Sequence, residues 1–281
     1  MLLNTLSLHL PTTALEAAKL YKELEDVKVL AGGTFILNSL KLMKVKGNNT
    51  AKNVISLSKV TDLKNIKLSG DDLTIGAMVT ITDLFESPLL TDNFSILNTI
   101  CRNISTTPIR NMASVGGNLT CRYTWTELPV AMIALDASMH FLTPDGKEVI
   151  QPAQAFFNNN ARSEFLFTHV TIKKNPHATL VYRRVRKMSE VDQPLLSVCV
   201  KADINAGVLT NTRIVINSGT AFAKRDELAE NFLNNKKVSA DLGQHTMEHL
   251  TTAIYDTRST EYKQYMFRTC IRQGIEEICK G

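Results

Sequence analysis

Two glycine-centred segments constrain this chain more than any other feature: Ala31-Gly32-Gly33-Thr34, and Ser114-Val115-Gly116-Gly117-Asn118. Glycine lacks a Cβ, so such a segment adopts positive φ at little cost and brings its own N–H groups within reach of an anion. The flanks of the first define its setting. Val27, Val29 and Leu30 form an apolar, partly β-branched run; Phe35, Ile36, Leu37, Leu40 and Met43 then recur as the buried face of a helix with Lys41 and Lys44 toward its end. The expected order is strand, glycine turn, helix start, and a helix start offers unpaired N–H groups to phosphate. The spacing is neither G-x-G-x-x-G nor G-x-x-x-x-G-K-[ST], so it warrants neither a Rossmann site nor a P-loop, and one Gly-Gly alone is better read as an ordinary tight turn. Taken as a pair, the two loops would grip one pyrophosphate from both sides.

The rest of the chain reads as mixed α/β. Thr13-x-x-Glu16 is a capping-box pattern for a helix to about Asp26, with Leu15, Ala18 and Leu24 inward. Strands are expected at 53–57 and 67–79, around the turn at Gly70-Asp71-Asp72, and at 138–143; helices are expected at 94–104 and 126–135. Four further strands, at 166–172, 179–184, 194–204 and 208–217, read as a meander, the last two joined across Asn205-Ala206-Gly207. Helices follow at 223–234, 242–255 and 261–279. The fold class is α+β, in two domains, 1–160 (subdomains 1–57 and 58–160) and 161–281, with the boundary near Asn158-Asn159-Asn160.

Composition narrows the function. The chain has 281 residues, 44% hydrophobic and 21% charged, enough for two cores. It has no apolar run long enough to span a membrane and no leader pattern at its N-terminus, so it is expected to be cytoplasmic. A net charge of +5, with one small basic cluster at Arg183, Arg184, Arg186 and Lys187, does not make a nucleic-acid-binding face. Five cysteines, at 101, 121, 199, 270 and 279, make neither a disulfide framework nor clustered iron–sulfur ligands. No ordered catalytic triad and no H-E-x-x-H pattern occurs, so neither a catalytic side chain nor a metal ligand is expected.

The ordered set Ala31-Gly-Gly-Thr34 with Met43-Lys44, Leu73-Thr-Ile-Gly-Ala77 with Thr80, Ile109-Arg-Asn-Met-Ala-Ser-Val-Gly-Gly-Asn118, and Ala134-Leu-Asp-Ala137 resembles the FAD-binding medium subunit of molybdenum hydroxylases, the xanthine dehydrogenase and carbon monoxide dehydrogenase group. The resemblance covers residues 1 to about 200 in order, and the rest more loosely. It implies a PCMH-type FAD-binding domain built of two α/β subdomains, followed by an α+β domain of strand meander and helices. It also implies non-covalent FAD, with Leu30, Ala31, Gly32, Gly33, Thr34 and Phe35 in the first loop, and Ser114, Val115, Gly116 and Gly117 in the second. Asn118 would either orient the loop or serve it structurally. Where relatives carry a ribose-binding aspartate this chain has Glu127, whose longer side chain shifts the carboxylate by about a bond length.

Tyr182 to Asp192 resembles the family's Tyr-x-Lys segment near the isoalloxazine, with Arg184 in the lysine's place and Asp192 ten residues after the tyrosine. A guanidinium there would stabilise reduced flavin; a solvated basic strand edge is the alternative. Trp125 is either a stacking partner for a ring or a half-buried surface aromatic. The implied activity is electron transfer from two [2Fe–2S] clusters on a small partner subunit, fed by a large molybdenum-cofactor subunit, to NAD+, oxygen or another acceptor. Two alternatives share the architecture: a non-catalytic scaffold subunit with a degenerate flavin site, and another flavin reductase such as the enolpyruvyl-glucosamine reductase of cell-wall synthesis.

Overall fold

The computed structural model describes residues 5–48, 51–121, 123–158, 163–188, 191–218, 222–252, 255 and 260–280. The first unit is a parallel three-stranded sheet of β1 (Ser7–His9), β3 (Asn53–Ser56) and β2 (Val27–Leu30), in that order, with α1 (Ala14–Glu23) and α2 (Ile36–Val45) as the crossovers. Parallel neighbours require such crossovers, so the two helices follow from the pairing. Thr13 caps α1 by accepting from the Glu16 N–H, but the Glu16 carboxylate returns to the Thr12 N–H rather than to Thr13, so the capping box is half-formed. Ala17 and Ala18 are the buried face of α1, whereas Leu15, expected inward, is exposed.

The second unit is a five-stranded antiparallel sheet in the order β4 (Ile66–Ser69), β5 (Asp72–Gly76), β8 (Leu166–Lys173), β6 (Ser138–Leu142), β7 (Glu148–Pro152). Between β5 and β6 run α3 (Ile81–Phe85), α4 (Ser95–Asn103), α5 (Thr107–Arg110), α6 (Val115–Thr120) and α7 (Leu128–Ala134), and α8 (Ala153–Asn158) follows β7. The strand expected to open the C-terminal meander, 166–172, is therefore a central strand of this sheet. Strand pairing continues through Lys173, past the boundary expected near 158–160, where Asn159 and Asn160 lie outside the described residues.

The third unit is an antiparallel sheet, β12 (Lys224–Arg225), β11 (Val208–Asn217), β10 (Leu196–Asn205), β9 (Ala178–Val185). Ala206 and Gly207, with φ of 49° and 73°, make the tight hairpin expected between β10 and β11. Alternation along β10 and β11 sends Val198, Val200, Ile214 and Ile216 to one face, under α9 (Glu227–Leu233), α10 (Leu242–Thr246) and α11 (Glu261–Lys280). It sends Cys199 and Val215 to the other face, against α7. Every residue of α7 is buried, because the helix is enclosed between two units. Two expected helices are shorter than their apolar patterns: Lys224 and Arg225 form an edge strand, and the helix starting at Leu242 ends at Thr246. Among the described residues no helix is long and apolar enough to cross a membrane.

Candidate functional site

The three units enclose a cleft of about 1050 Å³. Ala31, Gly32, Gly33, Thr34 and Phe35 line one side; Ser114, Gly116, Gly117 and Asn118 line the facing side; Glu127 and Asp192 reach it from the third direction. Of the remaining expected site residues, Leu30 ends β2 and Val115 is a core residue at 1% exposure; neither lines the cleft. Arg184 does not line it either.

The two glycine loops have different electrostatic roles. In the first, the amide N–H groups of Gly32, Gly33, Thr34 and Phe35 have no protein acceptor among the described residues, and α2 starts directly after them without a side-chain cap. These are donors aimed at a cavity, with a helix start behind them. In the second, three of the donors are already used, while the Ser114 N–H has no acceptor among the described residues and Ser114 lines the cleft. Val115 N–H donates to Val79 O at 2.9 Å, Gly116 N–H to Ala77 O at 2.8 Å, and Gly117 N–H to Ser114 Oγ at 3.1 Å. Unpaired backbone donors thus lie mainly in the first loop, and the second presents Ser114 to the cleft. The second is pinned to the chain following β5: Ile81 N–H donates to Ala113 O, and Thr80 bridges Ser114.

The glycines follow this division. A Cβ on Gly32 would lie 1.9 Å from the Met112 carbonyl oxygen, so Gly32 permits the two loops to meet backbone to backbone. A Cβ on Gly116 would lie 2.7 Å from Ala77 O, so this glycine serves helix-to-strand packing rather than ligand approach. Gly33 alone has the positive φ, 74°, that turns the first loop.

Two further features fit a dinucleotide carrying ring systems. Phe35, Tyr123 and Trp125 form one aromatic wall, with Tyr123 and Trp125 stacked at 4.3 Å and Phe35 tilted onto Tyr123 at 4.3 Å. Trp125 is therefore a wall residue, and Tyr123, which the sequence did not single out, is its partner. Asn118 Oδ1 is buried on the cleft lining with no hydrogen-bond partner, an acceptor waiting for a ligand donor.

Glu127, on the cleft lining, and Arg184, off it, meet each other. Tyr182 and Arg184, two apart on β9, point the same way and meet Glu127 at the start of α7. The Tyr182 hydroxyl donates to Glu127 Oε1, and Arg184 Nε lies 2.8 Å from the same oxygen, with both ionic side chains almost wholly buried. Arg184 also donates to the Asp192 carbonyl. One oxygen of the Glu127 carboxylate is thus held by protein partners while the residue still lines the cleft, and Arg184 is paired with that oxygen. Burial pushes the Glu127 carboxyl up to about 7, opposed by Arg184, and burial also raises the Tyr182 hydroxyl. The Asp192 carboxylate accepts from the N–H groups of Lys187 and Met188, the first of which does most to hold its pKa down, and so ties off the segment after β9. Arg122, Ser189 and Glu190, within the expected site segments, lie outside the described residues.

Residues 4–172 match the family described as the FAD binding domain in molybdopterin dehydrogenase. The chain is 29% identical over 150 residues to the carbon monoxide dehydrogenase medium chain of Hydrogenophaga pseudoflava, an alignment taking in 53% of this chain and 50% of that one. It is 24% identical over 274 residues to the nicotine 6-hydroxylase medium subunit of Paenarthrobacter nicotinovorans, covering 95% of each. Its fold superposes on a chain of carbon monoxide dehydrogenase from Hydrogenophaga pseudoflava with a TM-score of 0.88 at 23% identity, covering 98% of this chain and 97% of that one. A family match over more than half the chain, on a structure whose cleft presents free loop amides and an aromatic wall, makes this protein a member of the FAD-binding family of molybdopterin dehydrogenases, with FAD as its cofactor.

Proposed function

We propose that this chain is the FAD-carrying electron-transfer subunit of a molybdenum hydroxylase complex, receiving electrons from [2Fe–2S] clusters of a small partner subunit and passing them to NAD+ or another acceptor. The observation that carries the reading is the first loop, four amide donors without protein acceptors among the described residues, facing a cleft of about 1050 Å³. Gly32, Gly33, Thr34 and Phe35 hold the pyrophosphate through these donors, each worth roughly 1.5–3 kcal/mol toward a charged acceptor. Phe35, Tyr123 and Trp125 cover a ring and exclude water from it, and Asn118 orients a donor of the ligand. Bound FAD supplies the redox step, taking up an electron pair and releasing it. Beneath the cleft, the buried Glu127–Arg184–Tyr182 set fixes β9 against α7 and keeps the floor electrically balanced.

The partners follow from what the relatives are called. The carbon monoxide dehydrogenase and nicotine 6-hydroxylase proteins are named as a medium chain and a medium subunit, and this chain takes the same place beside an iron–sulfur and a molybdenum subunit. Turnover of an organic substrate is expected only when all three subunits are combined. The chain alone, loaded with FAD, oxidising such a substrate at about 1 per second or faster would overturn this reading.

A further inference from the structure

On the five-stranded sheet, away from the cleft, three ligand-type side chains converge. His140 on β6 is paired directly with His169 on β8, and Glu148 reaches them from β7. The imidazoles stack at 4.1 Å with 17° between their planes. A register shift between His140 and Phe141 leaves Thr168 as the extra residue; His169 thus shares His140's face while Phe167 stays in the core against Phe141. Glu148 Oε1 lies 3.1 Å from His140 Nδ1 and 3.7 Å from His169 Nε2, and one ligand atom from each residue falls within 4.8 Å of the others.

We propose that His140, His169 and Glu148 form a zinc site, closed on three sides by the protein and open to water on the fourth. Ligands at the usual 2.0–2.2 Å from a tetrahedral zinc stand about 3.3 Å apart, a spacing bracketed by the two distances to Glu148. His140 is 7% exposed, and its Nδ1 has no aligned hydrogen-bond partner although it is buried. The outward nitrogen of each ring already has one: His140 Nε2 is 2.8 Å from Thr171 Oγ1, and His169 Nδ1 is 3.0 Å from Thr168 Oγ1. With these hydroxyls accepting the ring N–H groups, the inward nitrogens are bare lone pairs, and a hydroxyl orienting the far side of each ring is the outer-shell arrangement of ligating histidines. Two lone pairs beside a carboxylate suit a shared cation, and one of the stacked rings has to turn for both lone pairs to meet on it. Two imidazoles with one carboxylate select a transition metal such as zinc over magnesium or calcium. The Glu148 and His169 side chains, 48% and 26% exposed, leave a path for the metal and for a water ligand. The ion would pin β7 and β6 to β8, in a position separate from the flavin, since none of the three residues lines the cleft.

The test uses the untagged full-length chain with FAD, stripped of metal and titrated with zinc chloride, with metal content read by mass spectrometry and magnesium chloride as the control. One zinc per chain is expected, with cobalt giving the intense visible bands of a four-coordinate site. Glu148→Gln and His169→Gln, both at part-exposed positions, should each weaken zinc binding by about 100-fold or more, beyond what loss of an outer partner costs, with FAD content unchanged. If the chain takes up no zinc, the three residues are a metal-free network of hydrogen bonds and the proposal fails. It fails equally if both variants bind one zinc as tightly as the parent, which would place the metal elsewhere.

Discussion

Gly32→Ala is the sharpest perturbation of the cleft. The added methyl would sit 1.9 Å from Met112 O and 2.9 Å from Ala113 Cα, both of them main-chain atoms that cannot swing aside. Ordinary carbon–oxygen contact begins near 3.3 Å, so the two loops must separate by more than about 1 Å. Over-packing of this kind costs about 1–3 kcal/mol of stability. Loss of alignment at a single amide–phosphate bond costs about 1.5–3 kcal/mol of binding, a 10- to 150-fold rise in the Kd for FAD. Gly33→Ala calibrates the effect: its φ of 74° costs about 1 kcal/mol in strain, but the nearest atom is Leu30 Cδ1 at 3.3 Å, the mobile end of a side chain. Gly47→Ala, at φ 69° with nothing within 4 Å among the described residues, isolates the strain and should leave FAD binding untouched. Urea unfolding of the apo chain and fluorescence titration with FAD would measure the two effects separately. A Gly32→Ala protein of parental stability that binds FAD within twofold of the parent would refute the close-approach argument.

Other outcomes follow from the same geometry. The Glu127 carboxyl holds its proton more tightly folded than unfolded, so its contribution to stability is complete below its usual 4.5 and is lost as pH rises through about 7. The loss should be up to about 3 kcal/mol by chemical denaturation, and Glu127→Gln should flatten that slope; an unchanged slope would mean that Arg184 keeps the carboxylate ionised throughout. Asn118→Ala should leave the apo chain as stable as the parent while weakening FAD by up to about tenfold, by titration, because the buried acceptor it removes has no protein partner. Equal affinity would place the Asn118 amide outside the FAD contact.

Local order was legible in the sequence, and long-range pairing was not. The strand, glycine turn and helix at 27–45, and the positive-φ hairpin at Ala206-Gly207, were readable because side-chain period and backbone freedom are properties of neighbouring residues. The apolar run at 166–172 reads as a strand wherever it lies, and only its partners β5 and β6, far away in the chain, assign it to the middle of the second unit. The second loop has a glycine pattern as clear as the first, yet the N–H groups of Val115 and Gly116 are consumed by the chain at 77–79, which no local pattern reveals. Glu127 and Arg184 were both singled out, but separately; their pairing depends on the packing of α7 against β9. His140, Glu148 and His169 come from three strands without motif spacing, so the chain itself offers no sign that they meet.

The most direct test of this account is residue-resolved amide hydrogen exchange with and without FAD. The amides of Gly32, Gly33, Thr34 and Phe35 are expected to exchange freely in the apo chain and to become protected when FAD binds, whereas those of Val115, Gly116 and Gly117 are protected in both states. FAD binding that leaves 32–35 unprotected, or that adds protection only at 115–117, would contradict that expectation.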